Sequence, residues 1–423
     1  MTAAGKNPDN DTRQAIDAVW RIESPKVIAA LTRMVRDVGV AEDLAHDALV
    51  AALVQWPDEG IPRNPGAWLV AAAKHRAIDY FRRNRMLDGK HVEIGRDLRD
   101  TQEQAPDYES ALDDAVGDDL LRLVFISCHP VLSMEARVAL TLRLLGGLTT
   151  GEIARAFLTP EPTIAQRIVR AKKTLAEEQV PFEVPRGPEL EARVSSVLAV
   201  LYLIFNEGYT ATAGADWTRP DLCDEALRLG RIVAELAPGE PEVHGLVALM
   251  EIQASRLRAR VDATGEPILL MDQNRALWDR LLIRRGLDAL SRAGRLERGR
   301  GPYFLQASIA ACHARAVDAA VTDWARIVSL YDELAAVSPS PIVDLNRAVA
   351  VGMASGPQAG LDALEHLRDN PALKTYHLLP AVRGDLLMKA GRAGEAREEF
   401  ERAAGMTKNE RERELLRARA RQA

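Results

Sequence analysis

Residues 134–175 read MEARVALTLRLLGGLTTGEIARAFLTPEPTIAQRIVRAKKTL, and their punctuation decides the fold. Ser133 precedes a run with helical apolar spacing, and Gly146-Gly147 ends it. Thr149 followed three residues later by Glu152 is a capping box, in which the two side chains satisfy each other's backbone N–H groups. Thr159-Pro160-Glu161-Pro162 closes that helix and opens the next. Two helices joined by so short a turn have the shape of a helix-turn-helix. In the second helix, expected from near Thr163, the residues Ile164, Ile168 and Leu175 form an apolar docking stripe. Thr163, Gln166, Arg167, Arg170 and Lys173 (or Lys172) give the helix a cationic face, and no acid lies between Thr163 and Leu175. A helix-turn-helix sets such a face against base edges in the major groove, where Arg and Gln bond guanine or adenine bidentately. A solvated basic face on an ordinary helix has the same composition; the capped helix and turn ahead of it favour DNA.

Towards the N-terminus, residues 87–118 are polar and acid-rich, with Asp97, Asp100, Glu103, Asp107, Glu109, Asp113 and Asp114 among them. Such a stretch buries too little apolar surface to offset its ordering entropy and reads as a linker. Before it, residues 13–86 carry helical runs at Val27–Val38, Ala41–Trp56 and Pro65–Phe81. Residues 57–65, with three prolines and a glycine, break the helices there. Asn64 is placed to cap the third run and Pro65 to occupy its first position. Lys74, His75, Arg76, Arg82, Arg83 and Arg85 crowd the third run, opposed only by Asp79, with Trp68, Tyr80 and Phe81 interleaved. Rings within a cationic surface suit unpaired bases, which stack while cations meet phosphates; Trp68 also fits a core position. Asp43, His46 and Asp47 share a helix face beside Leu44 and Leu49. A metal or acid–base site needs further ligands that the sequence does not place, so exposed acids beside apolar residues point to a protein interface.

Residues 119–178 hold the helix-turn-helix, and residues 188–423 are helical, with breaks near Pro238, Pro267, Gly301-Pro302, Pro339, Pro357 and Pro371. Gly384, Leu387, Ala396, Phe400 and Ala403 follow the small-and-large spacing of a tetratricopeptide helix pair, with Ala363 and Leu367 one repeat of about 33–34 residues earlier. Tyr331 ahead of Pro339 fits a looser copy, and generic helical hairpins fit the same pattern. Helical periodicity prevails throughout, so the fold class is all-α. The 423 residues carry 55 Lys+Arg and 61 Asp+Glu, a net charge of −6. That total is unlike a nucleic-acid binder, but attraction to DNA follows the local field of its basic helices. Cys128, Cys223 and Cys312 form no CxxC, so neither a disulfide framework nor a zinc site is supported, and no cofactor is expected. The opening residues lack the apolar core of a signal peptide and no run is long enough to span a membrane, so the expectation is a cytoplasmic, membrane-free protein.

EDLAHDALVAALVQW and NPGAWLVAAAKHRAIDYFRRNR resemble the second region of bacterial sigma factors of the extracytoplasmic-function type, and residues 134–175 resemble their fourth. The likeness covers roughly the first 180 residues, in the family's order. It implies an RNA polymerase subunit without enzymatic activity of its own, partnered by polymerase core (β′ clamp helices, β flap) and promoter DNA. By motif position, polymerase contact would fall on Asp43, Leu44, His46 and Asp47; the family often has Gln in place of His46. Recognition and melting of the −10 element would fall on the 57–65 loop and on Trp68, Lys74, Arg76, Asp79, Tyr80 and Arg82, while the basic cluster itself puts Arg82, Arg83 and Arg85 on phosphates. Thr163, Gln166, Arg167, Arg170 and Lys173 would read the −35 element; Pro160 and Pro162 depart from the small or polar residues usual in that turn. LYLIFNEGYTA and the helical tail resemble the long tetratricopeptide-like extension of one subgroup, which implies regulation and a protein partner. Asn206, Glu207, Tyr209 and Asp272–Arg275 would line a pocket or satisfy turns between hairpins. Two other readings fit the motifs: a polymerase-independent helix-turn-helix regulator, and a DNA-binding front end fused to a small-molecule sensor.

Overall fold

The computed structural model describes residues 8–88, 119–157, 159–211, 213–214, 216–296 and 300–423. It is all-α apart from one two-residue strand pair. The chain divides into two compact units, Met1–Val200 and Leu201–Ala423.

The first unit begins with α1 (Pro8–Val35), α2 (Val38–Glu59) and α3 (Pro65–Asp88), each packed on the other two. The expected run Val27–Val38 is interrupted: Arg36 takes a left-handed φ of 56°, and Asp37 caps α2 by accepting from the Val40 N–H at 2.9 Å. α2 in turn passes through Pro57, where the expected break begins, and stops only at Gly60, whose φ of 84° suits a residue without a side chain. Asn64 caps α3 as expected, accepting from the Ala67 N–H at 3.0 Å. The acidic stretch expected as a linker lies, over residues 89–118, outside the described residues.

Residues 119–127 form α4, followed by α5 (Met134–Leu144), α6 (Thr150–Ala156), α7 (Glu161–Glu177) and α8 (Pro188–Tyr209). Ser133 caps α5, and Gly147, with φ 65°, turns the chain after it. Both halves of the Thr149–Glu152 capping box are made. α7 packs on α5 and α6 through Ile164, Ile168, Ala171 and Leu175, all buried. It starts two residues before the expected Thr163, with Pro162 in its first turn, where a missing N–H leaves nothing unpaired. The first half of α8 is fastened to the α4–α5 corner. Arg193 donates to the Phe125 carbonyl oxygen at 3.0 Å, and Ser196 bonds the Cys128 carbonyl oxygen and Arg137.

The second unit contains α9 (Pro220–Leu236), α10 (Pro241–Ala254), α11 (Arg280–Arg295), α12 (Pro302–Arg315), α13 (Trp324–Val337), α14 (Pro341–Ser355), α15 (Pro357–Leu364), α16 (Leu378–Lys389), α17 (Ala393–Met406) and α18 (Glu410–Gln422). Five of these begin on proline, whose fixed φ and missing N–H suit a first turn. α10 packs on α9, α11 and α12; beyond them α13–α14 and α16–α17 form antiparallel-type hairpins of successive helices. In the second hairpin a Cβ on Gly384 would sit 2.7 Å from the Phe400 ring, so only glycine admits that ring. Leu367, Leu387, Ala396, Phe400 and Ala403 share one buried cluster, with Ala363 packed against it. β1 (Ala213–Gly214) and β2 (Lys408–Asn409) pair in parallel and tie the start of this unit to its end. Among the described residues no helix is long and apolar enough to cross a membrane. Cys128 and Cys223 are buried free thiols, pushed by burial up to about 11 and about 12, and Cys312 is half-buried.

Candidate DNA and polymerase surfaces

On α7 the residues opposite the buried stripe are Thr163, Gln166, Arg170 and Lys173, all exposed, with Arg167 half-buried at their edge. Their spacing of three and four residues puts them in one row along the helix. Lys173 has an acid within reach, Glu177 at 3.5 Å. Lys172 leaves the row: it turns inward and pairs with Glu42 of α2. Pro160 holds the extended conformation that an N-cap position requires, so the two prolines fit the start of α7.

On α3, Arg76, Asp79, Arg82 and Arg83 are exposed and Lys74 and Tyr80 half-buried. Asp79 reaches Arg82 at 3.6 Å, and its carbonyl oxygen accepts from Arg83 at 3.4 Å. Trp68 is half-buried, with its ring edge-on to the buried Trp56 at 5.2 Å. Tyr80 and Phe81 meet edge-on at 5.8 Å. Arg85 follows on the same helix; its side chain lies outside the described residues.

α2 separates the four residues expected at one interface. Asp43 and Asp47 are exposed, and Val50 and Val54 continue their row as exposed apolar side chains, 58% and 67% accessible. Leu44 is buried, because the next residue along a helix turns about 100° and here meets the core. His46 is half-buried beside the Trp20 ring; its Nδ1 donates to the Glu42 carbonyl oxygen at 2.8 Å and its Nε2 accepts from Arg143 at 2.9 Å.

The residue that sequence reasoning missed is Glu42. It is 3% exposed, and Arg143 of α5 at 2.6 Å and Lys172 of α7 converge on its carboxylate. Burial pushes this carboxyl up, but Lys172 and Arg143 outweigh burial and hold it below the ordinary value. Two further ion pairs join other helices of this unit: Arg21 of α1 pairs with Glu152 of α6, and Arg33 of α1 meets the buried Asp119 of α4 at 3.3 Å. The basic row of α7 is thus carried by a helix tied to α2 through buried charge, while α3 is held by its packing on α1 and α2.

Comparison with known proteins assigns these segments. Sigma-70 region 2 matches residues 20–86, sigma-70 region 4 matches residues 122–175, and a family of unknown function, DUF6596, matches residues 193–294. An uncharacterized protein of Rhizobium meliloti, R00370, is 43% identical over 93% of this chain and 92% of its own length. A probable ECF RNA polymerase sigma factor of Mycobacterium tuberculosis, SigI, is 25% identical over 40% of this chain and 57% of its own length. No solved structure matches the chain. With sigma-70 regions 2 and 4 matched in order on α1–α3 and α4–α7, and with the likeness to a probable ECF sigma factor, the chain belongs to the sigma factors of the extracytoplasmic-function type, in a form with a C-terminal extension.

Proposed function

We propose that this sigma factor binds core polymerase and directs it to promoters with paired −35 and −10 elements, and that its C-terminal extension regulates that activity. The observation that carries the reading is the pairing of two basic helical rows, on α3 and α7, with matches to sigma regions 2 and 4 on those same helices. Residues 13–86 act as the region 2 domain. Asp43 and Asp47, with Val50 and Val54 beside them, meet the β′ clamp helices, while the buried Leu44 and the bonded His46 support that face from behind. Lys74, Arg76, Asp79, Tyr80 and Arg82 recognise and melt the −10 element with Trp68, and Arg83 and Arg85 hold phosphates. Residues 119–178 act as the region 4 domain near the β flap, with Thr163, Gln166, Arg167, Arg170 and Lys173 in the −35 major groove. Residues 87–118 span the two, and residues 188–423 regulate through a protein partner. Polymerase supplies the chemistry, and the site of action is the cytoplasm.

The test is transcription in vitro with core polymerase and the full chain. Promoter-specific initiation should appear, and Arg167→Ala should reduce it about tenfold and change preference at the −35 element, since a bidentate base contact is worth roughly 1–3 kcal/mol. Failure to bind core polymerase overturns the reading; DNA binding without it would mark a polymerase-independent regulator.

A further inference from the structure

The second unit encloses a cavity of about 270 Å³. Its walls come from α8, α10, α12, α13 and α14, and its rings are Tyr202, Phe205, Tyr209 and Tyr331. Arg256 and His313 line it too, each only 8% exposed. Three arginines gather beside it, and they differ in what they hold. Arg260 donates to the Tyr209 carbonyl oxygen at 3.0 Å and to Thr210 at 2.8 Å. Arg275 donates to the carbonyl oxygens of His313 and Ala316 at 2.6 and 2.7 Å. Arg256 has neither: its Nε is buried without a partner, and its guanidinium rests between the rings of Tyr209 and Trp278 at 5.6 and 5.8 Å.

No acid comes to it among the described residues. Burial holds the guanidinium below its ordinary value; Tyr209 works against this, and the like charges of Arg260 and Arg275 add to it. The buried acids of α8 and α10 are engaged elsewhere, Glu207 with Arg219 at 2.6 Å and Glu251 with Arg231 at 2.8 Å. A buried cation left uncompensated costs several kcal/mol, about 3–5, so it is kept where something anionic arrives to pair with it. Other cavity groups also await partners: the Tyr209 hydroxyl, the Gln253 Oε1 and the His313 Nδ1 are buried with no hydrogen bond.

We propose that this cavity binds a small organic anion, its carboxylate or phosphate on Arg256 and its body among the tyrosines. The volume lies below the roughly 300–1,000 Å³ of drug-sized sites, which fits a metabolite of about ten non-hydrogen atoms. A planar anion group takes the guanidinium fork bidentately, and the unpartnered amide, imidazole and hydroxyl serve its polar substituents. Of the residues expected to form a pocket, Asn206 and Tyr209 do line this one. Asp272–Arg275 instead serve a turn: Asn274 caps it through Ala276 at 3.0 Å, and Arg275 ties it to the carbonyl oxygens of His313 and Ala316 at the end of α12.

Calorimetric titration of the full chain with benzoate, phenyl phosphate and the neutral benzamide tests this without reference to transcription. At least one anion should bind saturably below about 1 mM, with benzamide at least tenfold weaker. Arg256→Met should abolish that binding, and so should Gln253→Glu, which supplies a carboxylate inside the cavity. The exposed Arg258→Gln should leave it unchanged. The proposal is overturned if neither anion binds, if benzamide binds equally, or if both cavity variants, shown folded by their melting transitions, still bind.

Discussion

Glu42 in the first unit and Arg256 in the second are both buried charges, 3% and 8% exposed, and their surroundings are opposite. Glu42 has two bases on it from two other helices, so its charge is consumed in holding α2, α5 and α7 together. Arg256 has rings and like charges around it and faces a cavity. A buried charge answered from within the protein is structural; one left unanswered beside a cavity is an invitation to a ligand. The difference can be broken or sharpened by changing each charge in turn.

The largest effect belongs to Glu42→Gln. It leaves Arg143 and Lys172 partly buried without an acid and should destabilise the first unit by about 3 kcal/mol, measured by denaturant unfolding. The effect should also fade in acid. Because the folded carboxyl titrates below its ordinary 4.5, its contribution is complete above 4.5 and is lost as pH falls through the depressed folded value. A loss no greater than that of a surface pair would place Glu42 outside the docking of these helices.

Next comes His313. Burial first, then Arg256 and Arg275, push its imidazole down to about 4 from an ordinary 6.5. The folded value is depressed, so the stability it contributes is complete above 6.5 and is lost as pH falls towards 4. Between about pH 6.5 and pH 5 this amounts to about 2 kcal/mol at 1.36 kcal/mol per unit. Melting curves of the native chain and His313→Gln at the two pH values should show the variant losing less.

Arg256→Met should go the other way from Glu42→Gln. Removing a cation that lacks a partner relieves desolvation, against loss of its ring contacts, and should raise stability by about 1 kcal/mol. A decrease of the size expected for Glu42→Gln would mean that Arg256 is as fully compensated as Glu42, and the contrast would fall.

The sequence made some of this legible and not the rest, for a physical reason. The Thr149–Glu152 box, the Asn64 cap and the buried stripe of α7 are patterns of three or four residues, and each appears where it was expected. The basic rows were legible for the same reason. Glu42 was not, because its partner Arg143 is 101 residues away and only packing of the helices brings them together. The burial of Leu44 was not legible either, because Asp43 and Asp47 flank it in sequence while facing another way on the helix. The cavity draws its wall from residues as distant as Tyr202 and Asn346, so only Asn206 and Tyr209, close together on α8, stood out beforehand.

The smallest effect tests whether pairing or burial makes Glu42 structural. Arg21 and Glu152 also form an ion pair across helices, but the Arg21 side chain is 56% exposed. Glu152 is already held by the N–H and hydroxyl of Thr149, at 2.8 and 2.9 Å. Burial pushes its carboxyl up, and these Thr149 bonds do more than Arg21 to bring it down. Arg21→Ala should therefore cost less than about 0.5 kcal/mol, as exposed pairs do, whereas Thr149→Ala should cost about 1 kcal/mol through the lost cap. If Arg21→Ala matched Glu42→Gln, the presence of an ion pair between helices of this unit, and not its burial, would set their docking.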